Sequence, residues 1–108
     1  MELFSAYATF ANEEQARSIA ETVVRERLAA CANILAPHHS LYWWEDEVQH
    51  TKETAVLFKT TEKAFESLKK RITELHTYDC PCIVAWEIKE GHKPFLDWIV
   101  NNLSLIHI

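Results

Sequence analysis

The chain has 108 residues, 48% of them hydrophobic and 25% charged, with a single glycine and three prolines. Residues 1–108 therefore have the length of one domain, enough for one hydrophobic core without cross-links, and the composition excludes disorder, collagen-like repeats and low complexity. Lys plus Arg is 11 and Asp plus Glu is 16, a net charge of −5, which opposes nucleic acid as a partner because phosphate contacts are built from clustered cations.

Residues 3–10 alternate, with Phe4, Ala6, Ala8 and Phe10 on one face and Ser5 and Thr9 on the other. That is the pattern of a half-buried strand. Asn12 then offers a helix cap with Gln15 as its capping-box partner, and Glu13 and Glu14 suit the first turn. Ala16, Ile19, Ala20, Val23, Val24 and Leu28 follow at helical spacing and predict a helix over about 13–29. An extended segment over 31–44, interrupted at Pro37, leads to a hairpin tip at Glu45-Asp46-Glu47, and the chain returns over 48–60.

Thr60 or Thr61 caps a second helix whose stripe is Ala64, Phe65, Leu68, Ile72 and Leu75, ending near His76. Residues 82–88 read as a further strand, Gly91 breaks it, and Pro94 suits the first position of a helix over 95–103. The tail over 104–108 is expected to add a small edge strand. The order predicts an α+β, ferredoxin-like split βαβ sandwich: a four-stranded antiparallel sheet, both helices on one face, and a C-terminal helical extension. Two helices cover one sheet face only, and Trp43, Trp44, Trp86, Trp98 and Tyr42 are more aromatic surface than they can hide. A homo-oligomer is expected.

The apolar runs over 28–31 and 83–86 are about a fifth of a bilayer span, so no membrane partner is expected. The start Met1-Glu2-Leu3-Phe4 has no basic stretch or cleavage site, and no signal peptide is expected. Three cysteines, an odd number, in a chain with an adequate core read as reduced thiols in the cytoplasm.

Several segments resemble the CutA family of divalent-cation tolerance proteins. They are Glu26-Arg27-Leu28-Ala29-Ala30-Cys31-Ala32-Asn33-Ile34, Ser40-Leu41-Tyr42-Trp43-Trp44-Glu45, Phe58-Lys59-Thr60-Thr61, Leu75-His76-Thr77-Tyr78 with Pro81, Ile83-Val84-Ala85-Trp86 and Phe95-Leu96-Asp97-Trp98-Ile99. The resemblance implies a ferredoxin-like subunit in a tightly packed homotrimer whose long hairpins join sheets between subunits. The number three comes from it alone. The chain departs from the family pattern at Asp46, where Gly is usual, at Thr77, where Pro is usual, and at Cys82, where Glu is common. The first-strand cysteine proposed as a copper ligand in some members is Ala8 here.

The chemistry-bearing cluster is His76…Cys80-Pro81-Cys82. Two thiolates one residue apart can pinch a soft ion, His76 could add an imidazole, and soft donors favour Cu(I) or Zn(II) over Mg(II) or Ca(II). The spacing does not match closed tetrahedral zinc. The other reading, in which Cys80 and Cys82 are small hydrophobes at a strand start, stays open. Cys31 reads as core, and neighbours His38 and His39 point to opposite faces of a strand. His50, His92 and His107 read as surface residues. Glu53 and Lys59 are placed to pair across the sheet. No phosphate loop or nucleophile elbow is present, and catalysis is not expected.

Two functions are carried forward. One is a cytosolic trimer that binds divalent or soft metal ions, copper foremost, at His76, Cys80 and Cys82 and contributes to metal tolerance by sequestration or sensing. The other is a metal-independent scaffold that senses a small molecule in an inter-subunit cleft lined by Trp43, Trp44, Tyr78 and Lys59, with Lys59 countering an anionic ligand.

Overall fold

In the computed structural model, residues 2–103 are described, and the strand expected over 104–108 and His107 lie outside them. The elements are β1 (Leu3–Phe10), α1 (Glu13–Arg25), β2 (Cys31–Ile34), β3 (His38–Trp44), β4 (Glu47–Thr61), α2 (Glu62–Leu75), β5 (Ile83–Ile88) and α3 (Lys93–Asn101). The sheet order is β2-β4-β1-β5, with β3 also pairing β4. Every pairing is antiparallel. This is the expected split βαβ arrangement with five strands instead of four. Pro37 lies between β2 and β3, and the 15-residue β4 is long enough to pair with both.

The local signals act as their chemistry requires. The Gln15 backbone N–H donates to Asn12 Oδ1 at 2.8 Å, and the Ala11 N–H donates to Gln15 Oε1 at 3.2 Å. Thr61 caps α2 through Oγ1, which accepts from the Ala64 N–H at 3.1 Å. Helix α1 stops short of the expected 29: Arg27 turns left-handed at φ 62°. Its N–H then bonds the Val24 carbonyl, and the Leu28 N–H bonds the Val23 carbonyl. These two bonds make a Schellman ending, in which Arg27 occupies the position glycine usually takes. The hairpin tip uses Glu45 and Asp46 at φ 52° and 64°, the two left-handed residues that match a two-residue turn to the strand twist.

Alternation decides which side of the sheet is covered. Ala6, Ala8, Phe10, Val56 and Phe58 are fully buried and meet Ile19, Val23, Leu68 and Ile72 of α1 and α2. Burying a ring such as Phe10 or Phe58 is worth about 2–3 kcal/mol. Helix α3 closes the far end, where Ile99 and Leu103 pack on Leu3, Ala30 and Ala64. The opposite face keeps the odd-numbered side chains of the sheet centre, Ser5, Tyr7 and Thr9 of β1 and their partners Lys59, Leu57 and Ala55 of β4. Trp86 is 55% exposed there and Trp43, on the hairpin, 75%. Tyr7 and Trp86 meet edge to face at 6.1 Å on this open side.

Candidate functional site

The site is built where the open sheet face meets the 76–82 loop and the hairpin. Helix α2 delivers His76, whose backbone N–H still bonds the Ile72 carbonyl. Its ring is then fixed on both sides. Nδ1 accepts from the Tyr78 backbone N–H at 3.1 Å, and Nε2 lies 2.7 Å from the Thr9 carbonyl oxygen. An amide can only donate and a carbonyl can only accept, so these partners define a neutral imidazole with its proton on Nε2. Phe10 stacks on the ring at 4.9 Å and Tyr78 lies against it at 4.6 Å.

Tyr78, placed by that ring, reaches across to β4 and donates its phenol to Glu53 Oε2 at 2.8 Å. Glu53 is only 6% exposed, and among the described residues no ion pair includes it. Burial first, then the hydrogen bond to Glu53 and its charge, push the Tyr78 phenol well above its ordinary value of 10.0. The phenol stays protonated at neutral pH. Tyr7 is also raised, by burial and then by the charges of Cys82 and Glu53.

Between these groups lies a cleft of about 400 Å³. Its aromatic walls are Tyr42, Trp44 and Tyr78, and Glu53, Asp79, Cys80 and Cys82 supply acidic and sulfur groups. Among the described residues no Lys, Arg or His side chain lines it. Cys80 and Cys82 are free and open to solvent. Partial shielding by the cleft wall, then the charge on Glu53, raise the Cys82 thiol above its ordinary value, while a hydrogen bond with Thr9 pulls the other way. Cys82 is therefore a thiol at neutral pH, and a metal ion must displace its proton to bind.

Of the residues singled out from the sequence, the cleft collects Cys80, Cys82, Trp44 and Tyr78. His76 stands behind the wall with both ring nitrogens engaged, so it offers no lone pair to a metal in this arrangement. Among the described residues no group of three or more His, Cys, Asp or Glu side chains is arranged to hold a metal ion. Trp43 points away from Trp44 because neighbours on a strand face opposite sides. Lys59 lies outside the cleft and donates to Asn33 Oδ1 at 3.1 Å, so it neither pairs with Glu53 nor counters an anion there.

Glu53, Asp79 and Tyr42 were not identified as site residues from the sequence. A usable signal did exist. A two-residue turn at 45–46 sets Trp44 opposite Glu47 and His38 opposite Glu53, which puts Tyr42, Trp44 and Glu53 on one face.

The comparison with known proteins agrees with this architecture. Residues 4–102 match the family described as CutA1 divalent ion tolerance protein. The divalent-cation tolerance protein CutA of Thermus thermophilus is 48% identical over 94 residues, 87% of this chain and 91% of that protein. The crystal structure of CutA1 from Oryza sativa superposes with a TM-score of 0.94 at 33% identity, covering 97% of this chain and 96% of the other. A structure from Archaeoglobus fulgidus, described as a periplasmic divalent cation tolerance protein CutA, gives 0.90 at 36% identity over 96% and 100% of the two chains. Among the described residues no helix is long and apolar enough to cross a membrane. On the family match and on these relatives, the chain belongs to the CutA family.

Proposed function

We propose that this chain is a cytosolic, homotrimeric metal-tolerance protein that binds a soft metal ion, copper(I) foremost, through the thiolates of Cys80 and Cys82. The observation that carries the reading is that both thiols open on one acidic cleft. Sulfur donors select Cu(I) over hard ions, and the Glu53 and Asp79 carboxylates favour a cation over an anion there. Two thiols per chain suit an ion content with few soft donors better than tetrahedral zinc, which needs four ligands. His76 acts as the strut that holds the loop, in place of the ligand role its sequence position suggests.

Assembly is supported by the uncovered aromatic side. Leu41 is 69% exposed, and Trp43 and Trp86 are more than half exposed, an apolar display that isolated soluble chains seldom carry. Three copies is the number the family resemblance implies. Three free cysteines fit a reducing compartment.

The test is a native mass spectrum of the reduced protein, with and without one equivalent of Cu(I) per chain. A trimer retaining copper against a weak chelator is expected, with Cys80→Ser/Cys82→Ser binding at least about tenfold more weakly, roughly 1.4 kcal/mol. A double variant that binds as tightly as the parent would remove the thiolates from the site, and a monomer would remove the assembly.

A further inference from the structure

We propose that the cleft is a binding site for an organic ammonium ion, seated against the Tyr42, Trp44 and Tyr78 rings with its charge toward Glu53 and Asp79. It shares its cleft with the thiolate reading, since Cys80 and Cys82 also line the wall, but its charge is met by Glu53 and Asp79 and not by sulfur.

Volume is the first argument. A cleft of about 400 Å³ is the size of a small-molecule site and far more than a single ion needs. The second argument is the lining. Three aromatic rings and two carboxylates with no basic side chain among them form the chemistry that holds an alkylammonium group, because the ring faces attract a cation and pack against its alkyl substituents. An anionic metabolite would meet repulsion from both carboxylates.

The third argument is Glu53 itself. Glu53 as a residue is only 6% exposed, and among the described residues the one side-chain hydrogen bond to its carboxylate comes from the neutral Tyr78 phenol. A buried charge without a counter-charge is costly, and a single neutral donor offsets only part of that cost. A cation entering the cleft supplies the missing charge. The rings that would receive it are already partly fixed: Tyr78 by the bond to Glu53, and Tyr42 through its hydroxyl, which accepts from Thr51 Oγ1 at 3.4 Å. Little side-chain ordering is then left to oppose binding.

The experiment is calorimetric titration of the assembled protein with tetramethylammonium and with tert-butanol, a neutral molecule of nearly the same shape. Saturable binding of tetramethylammonium is expected, with tert-butanol at least about tenfold weaker. Glu53→Gln keeps the size of the side chain and an oxygen for Tyr78 but removes the charge, and it is expected to weaken the ammonium ion about tenfold or more. Trp44→Leu, at an exposed position, is expected to weaken it severalfold. Copper retention by Cys80→Ser/Cys82→Ser and ammonium titration of the parent protein are separate readouts, so the two readings fail separately. The proposal is overturned if tetramethylammonium does not saturate, if tert-butanol binds as well, or if Glu53→Gln binds like the parent.

Discussion

The Nε2–H of His76 donates to the Thr9 carbonyl oxygen at 2.7 Å, a bond joining the end of α2 to the end of β1 across 67 residues of sequence. Together with the Tyr78 amide bound at Nδ1, it converts a side chain with the look of a metal ligand into the anchor of the cleft wall. The loop that carries Tyr78, Cys80 and Cys82 has its position set by this ring.

Replacing the ring should therefore act on the loop before it acts on any ion. His76→Ala removes two hydrogen bonds and the stacking on Phe10, and a loss of about 2–4 kcal/mol is expected. Guanidinium denaturation measures the loss, and hydrogen exchange at the Tyr78 amide, now without its acceptor, should speed up. An unchanged exchange rate at that amide would contradict the anchoring role. Thiol-bound copper should persist in this variant, at reduced affinity if the loop loosens.

Tyr78 and Glu53 give an alkaline signature. The Tyr78 phenol holds its proton more tightly folded than unfolded, so its contribution is complete below the unfolded value of 10.0 and is lost as pH rises through the folded one. Stability is expected to fall with pH above about 10, with Tyr7 adding to the slope because its phenol is raised too. Tyr78→Phe should flatten this alkaline limb and cost about 1–3 kcal/mol at neutral pH, where Glu53 loses its donor. Denaturation midpoints from pH 8 to 11.5, as an experimental range of roughly that span, separate the two effects. A variant with the parent's alkaline slope would show that another group sets it.

The hairpin tip holds a small reserve of stability. Asp46 sits at φ 64°, a region where any side chain costs more than glycine and where aspartate is tolerated through its short polar group. Asp46→Gly is expected to raise stability by about 0.5–1 kcal/mol, read as a higher thermal midpoint. A drop would mean that the Asp46 carboxylate has a partner in the assembled protein.

How legible the molecule is from its sequence depends on the range of the interaction concerned. Asn12 with Gln15 and the parity of Ala6, Ala8 and Phe10 act within a few residues and are found where cap chemistry and periodicity place them, while of Thr60 and Thr61 it is Thr61 that caps α2. The end of α1 was placed too late because Val24 and Leu28 continue the apolar spacing, while the left-handed turn at Arg27 carries no glycine to mark it. The residues of the cleft were legible one by one, but their grouping was not. Tyr42, Glu53 and Tyr78 come from a hairpin, a strand and a loop.

The sequence by itself determined the strand and helix faces, the Asn12 cap, a hairpin tip within Glu45-Asp46-Glu47 and the family, because these rest on local sterics, alternation and ordered motifs along the chain. Tertiary structure alone decided that Glu53 pairs with Tyr78 and not Lys59, that Trp44 faces the cleft while Trp43 does not, and that both His76 nitrogens are spent. The physical reason is that a hydrogen bond selects its partner by distance and angle within about 3 Å. Those distances exist only after the sheet has brought segments tens of residues apart into contact.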